Sequence, residues 1–197
     1  MAEASRIVVV RHGETEWSLS GQHTSRTDLP LTTAGRKRAT ALRDLLAGYR
    51  FALVLSSPLR RALETCEIAG YGHVVELDDE LHEWNYGEYE GLTTPQIREK
   101  RPDWNLWRDG CPGGESPAEV AQRADRVLAR LDSAEGDALA FAHGHILRVL
   151  AARWAEMKVA EGARFKFGAG ALGVLGHERE TRAIEHWNLS PDPLGGR

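Results

Sequence analysis

Two histidines stand directly after apolar runs. In "IVVVRHGETEW" (residues 7–17) four aliphatic residues run into Arg11, His12 and Gly13. In "ALAFAHGH" (residues 138–145) a second apolar run ends on His143, Gly144 and His145. One histidine after a buried run is ordinary structural chemistry; two runs that end on the same His-Gly pair point to a shared site. Paired imidazoles serve two chemistries. As metal ligands, His143 and His145 would need a carboxylate beside them. A strand-to-helix turn does not by itself aim an H-x-H pair at one ion, and no C-x-x-C or H-E-x-x-H pattern accompanies it. As a nucleophile, a neutral imidazole attacks phosphorus and forms a phosphohistidine that water later hydrolyses.

The second chemistry has further requirements. The phosphoryl group in flight carries negative charge, so the site must clamp it electrostatically. Guanidinium forks match phosphate oxygens in pairs, and the leaving alkoxide needs a proton donor. Arg11 adjoins His12. "SSPLRRALET" follows another apolar run and brings Arg60 and Arg61 towards the same rim. "LHEWNYGEYEG" offers Glu83, a carboxyl among aromatic residues, where partial desolvation is expected to raise its pKa and suit it to acid work.

These residues need elements to position them. Strands are expected at Arg6–Val10, Phe51–Leu55, His73–Leu77, Ala138–Ala142, Ala171–Leu175 and Arg182–Trp187. The first, second and fourth are continuously apolar, as in central strands covered on both faces, and the last alternates as an edge does. Helical patterns lie between them. The clearest is "ESPAEVAQRADRVLARLDS", with Ser116 as cap, Pro117 first in the helix, Glu119 completing the box and Val120, Ala124, Val127 and Leu131 as the buried stripe. Alternating strands and helices predict an α/β class, a three-layer α/β/α sandwich around a mostly parallel sheet. In such sheets ligands gather outside the carboxyl ends of the strands, where both His-Gly pairs fall.

The 197 residues fit one domain spanning 1–197, with a poorly ordered tail at about 188–197. Net charge is −4 and no block of Lys and Arg recurs, so a nucleic-acid partner is not expected. No run is long enough for a membrane span or a leader, and Cys66 and Cys111 make no disulfide framework. A cytoplasmic protein with free thiols is the expectation, and base rates favour a homodimer.

Four motifs in order resemble the histidine phosphatase superfamily, also called phosphoglycerate mutase-like. They are R-H-G-E-T at Arg11–Thr15, S-x-L-x-R-A-x-x-T at Ser57–Thr65, E-x-x-Y-G at Glu83–Gly87 and A-H-G at Ala142–Gly144. The resemblance implies the phosphoglycerate mutase-like fold and a phosphoester substrate turned over without metal or other cofactor. It makes His12 the nucleophile and surrounds the phosphoryl group with Arg11, Arg61 and His143. It also makes Glu83 the proton donor and then the base for water. The arginine directly before Ala62 is the family's, which selects Arg61 and leaves Arg60 as a solvated helix residue. Ser18 stands where many members carry an Asn that touches phosphate.

The loop from Glu83 to Ser116 has no long insertion of the kind mutases carry, which favours a phosphatase over a mutase. "GQHTSRTDLPLT", "WNLWRDGCPGGES" and "FAHGHILRVLAARW" look like the sedoheptulose-1,7-bisphosphatase-type branch and its relatives, including acid phosphatases. That likeness implies a small sugar phosphate met by Thr24, Ser25, the Tyr86 region, Gly144 and Arg148. This chain lacks the long segment that branch carries between Met157 and Gly168, so part of the pocket wall is expected to differ. Trp84, Trp104 and Trp107 are expected at the core edge, His82 outward, and His23 outside the pocket.

Overall fold

The computed structural model describes residues 5–191. In chain order the elements are β1 (Ile7–Arg11), α1 (Glu16–Ser20), α2 (Thr33–Leu46), β2 (Phe51–Ser56), α3 (Arg60–Ala69), β3 (Glu76–Leu77), α4 (Thr94–Lys100), α5 (Leu106–Asp109), α6 (Pro117–Asp132), β4 (Asp137–Ala142), α7 (Gly144–Trp154), β5 (Leu172–Glu178) and β6 (Thr181–Leu189). The strands form one sheet in the order β3-β2-β4-β1-β5-β6. β3, β2, β4 and β1 run parallel, and β5 and β6 add antiparallel pairs at one side.

Period-two alternation in β1 divides the core into two. Val8 and Val10 face α2 and α3, packing with Leu42, Leu46, Val54, Cys66 and Phe141. Ile7 and Val9 face α6 and α7, packing with Val120, Ala124, Val127, Leu131, Ile146 and Leu150. The three layers expected from the sequence are therefore present, and the stripe predicted for α6 is its buried face. Ser116 caps α6 with the reciprocal Glu119 contact and Pro117 in the first position, as predicted.

Two expectations are corrected. The strand expected at His73–Leu77 is only Glu76–Leu77, because residues 72–74 turn and β-branched valines alone do not make a ladder. Of the tail expected at about 188–197, Asn188 and Leu189 instead belong to β6, with Leu189 paired to Leu172, and Asn188 Oδ1 accepts from the Gly168 amide. Residues 192–197 of that expectation lie outside the described residues. Both cysteines are buried and free, and no helix among the described residues is long and apolar enough to cross a membrane.

The sheet order explains where a site must form. β1 and β4 are adjacent and parallel, with Arg11 opposite Ala142. The chain leaving β1 goes to α2 on one face, and the chain leaving β4 goes to α7 on the other. Neighbouring strands whose continuations part in this way leave a crevice at their carboxyl ends.

Candidate active site

His12 and His143 are the first residues beyond β1 and β4. The His12 amide donates to the Ala142 carbonyl at 3.0 Å, and the two imidazole centroids stand 5.2 Å apart, edge to face. Both side chains are buried. Nδ1 of His12 is 2.6 Å from the Gly13 carbonyl. A carbonyl can only accept, so Nδ1 carries the proton and Nε2 keeps its lone pair. Burial and the nearby Arg61 and Arg11 guanidiniums hold this imidazole well below the ordinary histidine pKa. It is a neutral base with one nitrogen free to attack.

The turn after His12 depends on bare backbone. A Cβ on Gly13 would lie 2.6 Å from the Gly35 carbonyl oxygen at the start of α2. The Gly13 amide donates to Thr65 Oγ1, whose hydroxyl donates to the Arg61 carbonyl. Thr15 caps α1 in a reciprocal box with Ser18.

Arg61 is fully buried. Its Nε donates to His143 Nδ1 at 3.1 Å, Nη1 to the Thr27 carbonyl, and Nη2 to the Thr24 and Ser25 carbonyls. Since arginine only donates, His143 Nδ1 is unprotonated, and its Nε2–H faces Ser57 Oγ at 2.9 Å. Burial and Arg61 push the His143 pKa down as well. The loop that satisfies Arg61 is itself pinned: Glu90 accepts from the Ser25 and Thr27 amides at 2.9 and 3.0 Å.

Glu83 sits over the N-terminus of α7. Its carboxylate accepts from the His145 amide at 2.9 Å, the Ile146 amide at 2.9 Å and its neighbour Trp84. Burial alone would raise its pKa, as the sequence suggested. The α7 donors and the neighbouring histidines outweigh burial, and the group lies well below the usual carboxylate range. The expectation of a raised pKa is corrected: in this structure Glu83 is a carboxylate. The segment carrying it is fixed by Arg123 on α6, which donates to the carbonyls of Glu80, His82 and Glu83 and to the Glu115 carboxylate.

A cavity of about 180 Å³ lies over these groups, walled by Arg11, His12, Ser18, Thr24, Glu83, Tyr86, Gly144, His145 and Arg148 with Thr15, Trp17, Gln22, His23 and Phe167. Arg11 Nη1 donates to the Phe167 carbonyl, and its buried Nε has no hydrogen-bond partner. It is a spare donor beside His12. Gly144 makes room for that guanidinium, since a Cβ there would stand 3.2 Å from Arg11 Cζ. Of the predicted residues, Arg61, His143 and Ser25 do not wall the cavity. They form the layer behind it, where Ser25 works through its backbone. Ser18 reaches the wall while its hydroxyl bonds Thr15. Arg60 is exposed and pairs loosely with Glu64, as expected. Trp84 and Trp104 are core residues, and Trp107 stacks on the Arg148 guanidinium at 4.6 Å.

Sequence reasoning missed three contributors. His23, expected outside, stands 4.7 Å from the Tyr86 ring, and burial lowers its pKa to about 4. Tyr86 Oη lies 2.6 Å from His145 Nδ1, which makes His145 part of the wall rather than half of a metal pair. Glu90 was not singled out. The "EYEG" stretch holds two glutamates, and only the fold tells which one reaches a loop 65 residues away.

The family described as histidine phosphatase superfamily (branch 1) matches residues 7–190. An acid phosphatase of Mycobacterium tuberculosis is 43% identical over 192 residues, covering 95% of this chain and 94% of that protein. The sedoheptulose 1,7-bisphosphatase of Saccharomyces cerevisiae is 38% identical over 181 residues, covering 76% of this chain and 67% of that one. A solved structure of a Mycobacterium tuberculosis open reading frame superposes with a TM-score of 0.91 at 41% identity, covering 95% of this chain and 99% of that one.

Proposed function

Because this chain belongs to the histidine phosphatase superfamily and is a phosphatase, we propose that it hydrolyses a small sugar phosphate through a phosphohistidine on His12. The observation that carries the assignment is the His12 Nδ1 contact with the Gly13 carbonyl, which leaves Nε2 unprotonated inside a cavity walled by Arg11 and Arg148.

In the proposed reaction the Nε2 lone pair attacks phosphorus, and the bond from phosphorus to the ester oxygen breaks. Arg11 Nε donates to a phosphoryl oxygen. Arg61 and His143 supply positive potential and N–H dipoles from behind, already held in place, so little reorganisation accompanies the charge movement. The leaving oxygen takes a proton from Glu83. Glu83 is a carboxylate in this structure and takes up that proton from the entering phosphomonoester's monoanion: the phosphoryl dianion left beside it raises its proton affinity, since like charge disfavours ionisation. Water then attacks phosphorus, giving a proton to Glu83, the P–N bond breaks, and phosphate leaves with His12 neutral again. The names of two relatives, the sedoheptulose 1,7-bisphosphatase and a glucosyl-3-phosphoglycerate phosphatase of Mycobacterium tuberculosis, support a phosphorylated carbohydrate as substrate.

Rapid-quench labelling with a ³²P-phosphoester tests this reading. Acid-labile, base-stable label on the peptide containing His12 is expected, and its absence in the wild type during turnover overturns the assignment. A phosphatase site in which His12→Ala keeps more than about a tenth of its rate overturns it too.

A further inference from the structure

Three successive residues before β5 are each held by the end of β6. Trp187 Nε1 donates to the Lys166 carbonyl at 2.9 Å, and the indole stacks on the Phe167 ring with centroids 4.2 Å apart. The Gly168 amide donates to Asn188 Oδ1 at 2.7 Å. The carbonyl in the middle of this stretch, that of Phe167, accepts from Arg11 Nη1. A guanidinium is a rigid planar fork, so holding Nη1 sets where Nε points. The Arg11 Nε is the buried donor with no partner beside His12.

The end of β6 departs from a regular strand to make these contacts. Leu172 pairs with Leu189 and Val174 with His186, so Gly173 faces both Trp187 and Asn188. An extra residue on one strand is a β-bulge, a device that re-aims side chains. Asn188 carries the bend at φ +59°, left-handed backbone that asparagine tolerates better than most side chains. Trp187 lies across Gly173, where a Cβ would stand 2.7 Å from the indole. The bulge, the bare glycine and the left-handed asparagine all serve one placement, that of residues 166–168. Neither Trp187 nor Asn188 walls the cavity over His12. Any influence on the chemistry there passes through the Phe167 carbonyl.

We infer that Asn188 and Trp187 are positioning residues for phosphoryl transfer: they seat residues 166–168 so that the Phe167 carbonyl turns Arg11 with its Nε towards the group bound at His12. The inference rests on the phosphatase reading and adds to it the element that aims the clamp.

Two substitutions at one position test it. Asn188→Gly adopts the left-handed backbone freely and removes the acceptor, whereas Asn188→Asp keeps an oxygen for the Gly168 amide. Both are assayed with 4-nitrophenyl phosphate and for inhibition by orthovanadate, an oxyanion with no organic body to touch β6. The assays contain about 0.5 M NaCl to screen the added carboxylate. Asn188→Gly is expected to lower kcat/KM and to raise the vanadate Ki, each at least about fivefold, because a donor out of aim no longer meets the phosphoryl oxygen. Asn188→Asp is expected to stay within about threefold of the wild type in both. A merely structural role would lower Tm and leave the vanadate Ki unchanged. That result, a smaller change in either quantity, or a loss that Asn188→Asp does not recover overturns the positioning role while the wild type still hydrolyses the ester. A wild type that leaves 4-nitrophenyl phosphate intact overturns the phosphatase reading instead.

Discussion

His12 Nδ1 and the carbonyl oxygen of Gly13, 2.6 Å apart, set the proton inventory of the whole site. The ring is turned by its own chain, so the attacking nitrogen is chosen before substrate arrives. Because burial, Arg61 and Arg11 hold this imidazole well below pH 6.5, it stays neutral on acidification past the point where an exposed histidine protonates. The acid limb of kcat/KM is therefore expected well below pH 6.5, measured with 4-nitrophenyl phosphate between pH 3 and 8. An acid limb at 6.5 or above would show that the burial and cations do not act on the nucleophile.

In the proposed reaction Glu83 faces a different demand, since there it gives a proton to the leaving oxygen. An alkoxide needs that proton far more than a nitrophenolate does. Glu83→Gln is expected to lower kcat by about a hundredfold or more on an alkyl phosphate and by much less on 4-nitrophenyl phosphate. Equal losses on both would remove Glu83 from the acid role.

Glu90 touches no part of the cavity and acts through Arg61. Oε1 takes both the Ser25 and the Thr27 amides, and Oε2 shares the Ser25 amide at 2.9 Å. The oxygen of a glutamine can replace Oε1, whereas its NH2 group cannot accept from Ser25. Glu90→Ala is expected to cost about tenfold or more in kcat/KM, because loosening residues 24–27 frees the carbonyls that hold the buried guanidinium. Glu90→Gln, which keeps the Oε1 contacts and loses the second acceptor at Ser25, is expected to recover part of it. A merely structural role would show in thermal stability, so the check is kcat/KM alongside Tm for both variants.

The histidines also tie stability to pH. His12, His143, His145 and His23 all have lowered pKa values, His23 to about 4. Below pH 6.5 the unfolded chain takes up protons that the folded chain refuses, so stability falls with falling pH. Each such site contributes a slope of about 1.4 kcal/mol per pH unit between the two pKa values. For His23 that window runs from 6.5 down to about 4. Melting curves at pH 7, 6, 5 and 4.5 are expected to show a steep loss, less steep in His23→Asn. Unchanged steepness in that variant would contradict the assignment.

What could be read in the sequence follows from distance along the chain. The two His-Gly turns, the choice of Arg61 and the α6 cap are local patterns, and each is where it was expected. The sign of the Glu83 shift was not local. "HEWNY" announces burial, while the donors that overrule it come from the start of α7, 62 and 63 residues on. Arg61 shows the same limit. Its position was legible, whereas its confinement by three carbonyls of residues 24–27 is a product of packing.

The two imidazoles are moored to different halves of the molecule, His12 to the strand end whose chain feeds α2, His143 to the one that feeds α7. A flaw beneath either helical layer tilts one ring against its fellow while leaving the sheet whole. The proposed chemistry needs the two rings held to within about 0.5 Å of their productive aim, so warming is expected to blunt turnover before the fold melts, and remote repacking on either side to be felt first as a loss of rate.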